Sequence, residues 1–281
     1  MIDRGSRLTR VLTFHVPLWG FVLLTLFPFY WMLVTSLKPD RELYNVAMNP
    51  ILLREPTLKH YRLLFEDTPF VRWTVNTMVV AVLSTGISLL CAVGAGYALA
   101  RLRFRGATII GLIIFTTYLI PHTLIFLPLA QVVHMLGLAN SLWALILTYP
   151  TFLIPFCAWL LMGYFKTIPL ELEECAMIDG ASRLRAMWSI VLPLARPGVL
   201  SAGIFAFTLS WNEFIYALVF LSSPETKTIP IGVVSELIKG DVFYWGSLMA
   251  GALLGSVPVA IFYSFLVEHY VGGLTAGAVK G

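Results

Sequence analysis

Charge is what this chain has least of. Only 12% of its 281 residues are Asp, Glu, Lys or Arg, about half the share of an average soluble domain. A surface so poor in charge cannot be solvated all round, which excludes a soluble globular protein. Cysteine is scarce too. Cys91, Cys157 and Cys175 are scattered without metal-ligand spacing, so neither a disulfide framework nor a zinc site is expected, and they read as small packing residues. His15, His60, His122, His134 and His269 are equally dispersed, and no metal site is expected from them. No glycine immediately precedes a lysine, so the G-x-x-x-x-G-K phosphate cradle is missing, and with it an ATP site. H-E-x-x-H and G-x-S-x-G are absent as well. The chain therefore reads as a non-enzyme with no catalytic residues and no cofactor of its own. Any energy it uses must come from another polypeptide.

Apolar residues fill the space instead. Hydrophobic residues make up 58% of the chain and the mean hydropathy is +0.84. Several runs reach the roughly 20 residues that cross a bilayer. The fold class expected is an all-α polytopic membrane protein, a single transmembrane domain over 1–281. The net charge of +4 is modest, and the arginines fall mainly in short loops. That favours membrane orientation, with lipid as a partner, over nucleic-acid binding.

Six spans are expected, near 11–37, 73–100, 107–135, 142–165, 198–221 and 245–266. Arg4, Arg7 and Arg10 precede the first, which is too long for a signal-peptide core and lacks a small-residue cleavage site. Lys38 to Arg72 mixes six basic and five acidic residues with Pro50, Pro56 and Pro69, enough for an external loop with short helices of its own. Arg101, Arg103 and Arg105 close span two without an acid nearby, a cytoplasmic mark. With both ends inside, the N and C termini are cytoplasmic. Gly86, Gly94, Ala95 and Gly96 give span two a smooth face for close helix packing.

Two places inside the spans could carry chemistry. Pro121 and Pro128 interrupt span three beside Thr116, Thr117, His122 and Thr123. Broken backbone at membrane depth survives where protein buries it or where it lines a wet cavity, so the run is either path or kink. Span five holds Trp211, Asn212 and Glu213 in S-W-N-E-F-I-Y. Read as continuous helix, Glu213 lies about 12 Å from the span's end at Leu221. An acid at that depth faces the bundle interior or water. An amide, an acid and aromatic rings suit a hydroxyl-rich solute; the other reading is an interhelical hydrogen bond that holds the bundle. No basic residue stands in spans three to six, which disfavours an anionic solute in this chain.

The stretch from Glu171 to Pro197 is helical in pattern yet too charged to lie in a membrane. Its acids crowd the first turns, where the helix dipole favours them. Gly180 suits a left-handed stop, Ser182 a cap for a second helix, and Pro193 the end of that helix. Such a helix pair is either a docking face for another polypeptide or a solvated loop.

At this loop the sequence resembles a known family. E-C-A at Glu174, Cys175 and Ala176, then Gly180, then I-V-L-P with Ile190, Leu192 and Pro193, resembles the EAA loop of permease subunits in ATP-binding-cassette (ABC) importers. Cys175 stands where the motif has its first alanine. PFYWMLVTSLKP, ALARLRFRG, WNEFIYAL and the GGLTAGAVKG tail are similar to the carbohydrate-uptake branch, in particular the second, smaller permease of maltose-type systems. The resemblance implies a type I importer fold in the inner membrane of a prokaryote and transport of a sugar or oligosaccharide. It implies as partners a second, related permease, two copies of an ATPase that carries ATP and Mg, and an extracytoplasmic solute-binding protein. It makes the loop over 166–197 the cytoplasmic coupling element, with Glu174 and Asp179 touching the ATPase and Gly180 permitting the turn. The C-terminal tail, with Thr275 and Lys280, is a weaker contact candidate beside a loose-tail reading. A glycerol phosphate or polyol importer, and an ATP-independent carrier using Glu213, are the alternatives.

Overall fold

The computed structural model describes residues 11–102 and 104–276. A π-helical turn at Val11–His15 leads into α1, Val16–Leu37. Two short helices, α2 (Asp40–Leu43) and α3 (Lys59–Glu66), sit in the loop expected between spans one and two, and α4 runs Phe70–Arg101. Then come α5 (Ala107–Leu119), α6 (His122–Met135), α7 (Leu142–Thr148), α8 (Pro150–Thr167) and α9 (Glu171–Ile178). The polar loop continues through α10 (Arg183–Ala186), a π turn (Met187–Val191) and α11 (Leu192–Leu194). After it stand α12 (Arg196–Trp211), α13 (Ile215–Phe220) and α14 (Ile229–Leu237), a two-stranded hairpin of β1 (Ile238–Lys239) and β2 (Val242–Phe243), and α15 (Trp245–Ala276).

Among the described residues, four helices or continuous helix pairs are long and apolar enough to cross a membrane: Val11–Leu37, Phe70–Arg101, Leu142–Thr167 and Trp245–Phe265. Two more spans are counted only if bent pairs are taken whole. Ala107–Leu119 and His122–Met135 meet at 98°, and Arg183–Leu194 and Arg196–Trp211 at 77°. The expected third span is thus a right-angled bend at Ile120 and Pro121. Pro121 lacks an N–H and disfavours helix at Ile120, which is extended at ψ 124°. Pro128, by contrast, stays inside α6. The hairpin, pairing Ile238 with Phe243 and Lys239 with Val242, is the departure from an all-helical chain.

The described residues divide into two compact units, the first made of residues 11–70 and 233–257 and the second of 71–102, 104–232 and 258–276. In the first, His60 ties three segments together. Its Nδ1 lies 3.2 Å from Ser247 Oγ and its Nε2 2.9 Å from the carbonyl oxygen of Lys38. Gly246 is needed there, since a Cβ would collide with the His60 ring. The Tyr44 hydroxyl donates to the Phe243 carbonyl at 2.6 Å and so holds the hairpin.

In the second unit the core is organised around α8. Leu153, Cys157, Leu161 and Phe165, spaced by four residues, are fully buried and make one apolar stripe. Gly96 lets α4 press on α8, for its Cβ would lie 3.1 Å from backbone atoms of Ala158 and Met162. Among the described residues a Cβ on Gly86 or Gly94 would meet nothing, so the packing expected of the four small residues rests on Gly96 and on Ala95 against the core. Cys157 packs as expected, whereas Cys91 and Cys175 are exposed. Asn140, at φ 57°, clips the turn after α6 to the loop after α13. Its Oδ1 accepts from the backbone N–H of Ser222 and Ser223 and from the Thr226 hydroxyl, and its Nδ2 donates to Ser223 Oγ.

Candidate functional site

The polar loop forms the two helices that its residues suggest. Glu171, Glu173 and Glu174 occupy the first turn of α9, where the unpaired N–H groups and the dipole stabilise negative charge. The helix stops at Gly180, φ +90°. The Ala181 N–H donates to the Ala176 carbonyl at 2.9 Å and the Gly180 N–H to Met177 at 3.1 Å. That 6→1 and 5→2 pair is a Schellman stop, which needs a left-handed residue at this point. A Cβ on Gly180 would touch nothing, so glycine is there for its backbone freedom rather than for space. Ser182 then caps α10 by accepting from the Arg185 N–H at 3.3 Å.

The expectation that Pro193 ends the second helix is corrected. Helical backbone runs on to Leu194 and breaks at Ala195. A proline inside an α-helix clashes with the carbonyl four residues back. Here the preceding five residues form a π turn, with the Leu192 N–H donating to the Met187 carbonyl, which widens the coil ahead of the ring.

The candidate coupling residues do not all face one way. Glu174, Cys175, Asp179, Gly180 and Pro193 are exposed, while Ala176, Ile190 and Leu192 are half-buried. Leu192 packs against the main core. Beside the exposed acids stand large bare apolar side chains: Ile178 at 84% exposure, Leu184 at 63% and Trp188 at 54%.

The loop is anchored through a residue that sequence reasoning passed over. Glu173 is buried, and its Oε2 accepts from the Tyr97 hydroxyl at 2.7 Å. Its Oε1 lies 2.6 Å from Arg101 Nε, off the N–H direction, and Arg101 also donates from Nη2 to the Ile168 carbonyl at 2.6 Å. Arg101 was legible as an orientation mark, and Glu173 as one acid among three. Only the fold shows that these two pair. Arg101, Glu173, Glu174 and Arg183 line a cleft of about 430 Å³ between α4 and the loop.

The span-five candidates sit at a helix break. Continuous helix through Glu213 is corrected: α12 ends at Trp211, and α13 begins at Ile215. The Glu213 carboxylate supplies the cause. Its Oε1 accepts from the Tyr216 N–H at 2.9 Å and its Oε2 from the Ala217 N–H at 3.1 Å. It thereby satisfies two of the donors that a new helix start leaves free. The Tyr149 hydroxyl adds a third bond at 2.9 Å. Glu213 is 6% exposed and Trp211 3%, with Trp211 stacked on Phe207. Asn212 is exposed, and its Nδ2 donates to the Thr208 carbonyl.

His122 reaches the same neighbourhood through aromatic rings. Its ring lies 5.0 Å from Phe152, and the Tyr216 hydroxyl donates to its carbonyl at 3.2 Å. Thr116 and Thr117 stand on the other arm of the bend, and the Thr117 hydroxyl bonds back to Ile113. Thr275 falls within α15 rather than in a loose tail, with its side chain outside the described residues, as is Lys280. Among the described residues no three His, Cys, Asp or Glu side chains converge as a metal site.

Residues 88–274, from the middle of α4 to the end of α15, match the family of binding-protein-dependent transport system inner membrane components. The chain belongs to this family. It is an inner-membrane component of a transport system, and its curated relatives are named as permeases rather than enzymes. It is 38% identical over 284 residues, covering 100% of both chains, to the inner membrane ABC transporter permease protein YcjP of Escherichia coli. It is 41% identical to the sulfoquinovosyl glycerol transport system permease protein SmoH of Agrobacterium fabrum, over 91% of this chain and 89% of that one. The trehalose/maltose transport system permease protein MalG of Thermococcus litoralis is 32% identical, over 92% and 93%. A bacterial ABC transporter involved in the import of the acidic polysaccharide alginate contains a chain of the same fold. Its TM-score is 0.79 at 23% identity, over 95% of this chain and 99% of that one.

Proposed function

We propose that this chain is one of two related permeases in an ATP-driven importer, and that it passes a sugar or oligosaccharide inward from an extracytoplasmic binding protein. In this reading the chain is one transmembrane domain with six spans, each bent pair counting as one, and with both termini in the cytoplasm. ATP and Mg belong to two copies of a separate ATPase. The observation that carries the proposal is the face of the α9–α10 loop. Exposed Glu174 and Asp179 stand with bare Ile178, Leu184 and Trp188 around a fixed left-handed turn. Charged residues around uncovered apolar side chains suit a protein partner more than bulk water.

Coupling follows from the anchoring. ATP binding closes the ATPase dimer and moves the docked α9. Because Glu173 is pinned to Tyr97 and Arg101, the displacement passes to α4 and through the packed α8 into the bundle as rigid-body motion. The cavity between the two permeases then alternates between its outward and inward openings. Relatives named for sulfoquinovosyl glycerol, galactooligosaccharides and trehalose/maltose support a carbohydrate. Exposed Asn212 and the His122 ring, beside Phe152 and Tyr216, are the proposed contributions to the path. Glu174→Lys tests the coupling. Uptake should fall while membrane insertion stays intact, and unchanged uptake would sink the claim. A glycerol phosphate or polyol is the second reading of the substrate, distinguished by which solute stimulates ATP hydrolysis.

A further inference from the structure

The first compact unit contains a cavity of about 550 Å³, lined among others by Trp31, Thr35, Lys38, Glu42, Asn45 and Trp245. Its size falls within the range of small-molecule sites. Two acids elsewhere in this unit are paired: Asp40 bonds Lys59, and Glu55 pairs with Arg41. Glu42 is different. It is 7% exposed, and among the described residues its carboxylate has neither a hydrogen bond nor an ion pair. Its carboxylate lines the cavity, so its donors come from whatever fills that space, water or a ligand.

The rest of the lining narrows what that ligand is. Lys38 is 2% exposed and spends its ammonium on the Asn49 and Pro50 carbonyls, both at 2.8 Å. Its positive charge in the wall disfavours a cationic ligand, as Glu42 disfavours an anion. An apolar ligand would leave the acid unsatisfied. What remains is a neutral molecule rich in hydroxyl donors. Trp31 and Trp245 add ring surface, and Trp245 is held in place by stacking on Phe243 at 5.3 Å. Ring faces beside hydrogen-bonding groups match a pyranose, whose C–H faces pack on aromatics while its edge hydroxyls reach polar atoms. We infer that this cavity binds a neutral hydroxylated ring of one or two sugar units, with Glu42 accepting from its hydroxyls. Its lining shares no residue with the proposed translocation path. The ring could come from a free carbohydrate or from a glycolipid headgroup.

The test uses the complex purified through a tag on this chain into phosphatidylcholine nanodiscs, without sugar-headgroup detergent, ATP or binding protein. The probe is an alkyl galactoside or glucoside bearing a diazirine, followed by mapping of the labelled peptides. Labelling is expected within 31–50 and 245–249, and it should drop about tenfold in Glu42→Gln and in Trp245→Ala. Trp245→Phe, which keeps a ring to stack on Phe243, should retain most of it and shows that the fold survives change at this position. Competition by free methyl galactoside or glucoside assigns the site to free carbohydrate. Competition only by a galactolipid placed in the disc assigns it to a headgroup. Labelling that is absent, lies elsewhere, or is undiminished in both Glu42→Gln and Trp245→Ala overturns the inference. Because no transport is involved, failure of the importer reading would leave this result standing.

Discussion

Arg101 Nε and Glu173 Oε1 meet at 2.6 Å with side chains only 6% and 2% exposed, and so join the end of α4 to the first turn of the polar loop. Removing one member of a buried pair strands the other charge, at a cost of about 3–5 kcal/mol. Arg101→Ala or Glu173→Ala should therefore lower the thermal unfolding midpoint of the purified protein sharply. Arg101→Met with Glu173→Leu should regain most of the loss, because no charge is then left alone. Tyr97→Phe removes only a hydroxyl donated to a carboxylate, a loss of about 1.5–3 kcal/mol. A double variant as unstable as the sum of the singles would contradict the pairing.

Gly180 should tolerate substitution poorly although nothing crowds it. Its φ of +90° strains any L side chain, and a left-handed conformation costs about 1–2 kcal/mol. Gly180→Ala should loosen the Schellman stop, lower ATP-dependent uptake and leave membrane insertion unchanged. Gly180→Asn should be milder. Hydrogen exchange at the Ala181 amide reads the same event locally, and it should speed up in Gly180→Ala.

Much of this was legible from the residues. Spans one, two, four and six follow from apolar runs, and the loop's two helices follow from acids at one start, a glycine stop and a serine cap. The bends were harder. Pro121 announced a break, but proline within α6 and α8 did not stop those helices, so sequence could not say which proline would bend the chain by 98°. The split at Glu213 has no proline or glycine beside it. It depends on a carboxylate reaching forward to Tyr216 and Ala217 while Tyr149, 64 residues away, holds it. The Arg101–Glu173 pair is hidden for the same reason, since its partners are 72 residues apart in sequence (173 − 101).

The Glu213 cap separates two roles that one residue could have. If the carboxylate mainly starts α13, Glu213→Ala strands two N–H groups and a tyrosine hydroxyl, each worth about 1–3 kcal/mol when buried and unpaired. Thermal stability and assembly should then fall together with transport. Glu213→Gln keeps one acceptor oxygen and should lose less. A Glu213→Gln protein with unchanged stability and assembly but abolished uptake would instead make the acid part of the path.

Asn140 gives a similar contrast at the other end of α13. It accepts three hydrogen bonds through Oδ1 and donates one through Nδ2. Asn140→Asp retains the acceptor and loses only the donor to Ser223. Asn140→Gly keeps the backbone conformation but loses all four bonds. Stability measured by thermal unfolding should fall in the order wild type, Asn140→Asp, Asn140→Gly, Asn140→Leu, the last adding left-handed strain.

The central claim is that the α9–α10 loop is where an ATPase drives this chain. The most direct measurement is mild co-purification from native membranes through a tag on this chain, comparing wild type with Glu174→Lys. The account predicts a stoichiometric ATPase and a second permease with the wild-type chain, and loss of the ATPase but not of the permease with Glu174→Lys. A wild-type chain that purifies without an ATPase and still moves solute in vesicles without ATP would contradict it.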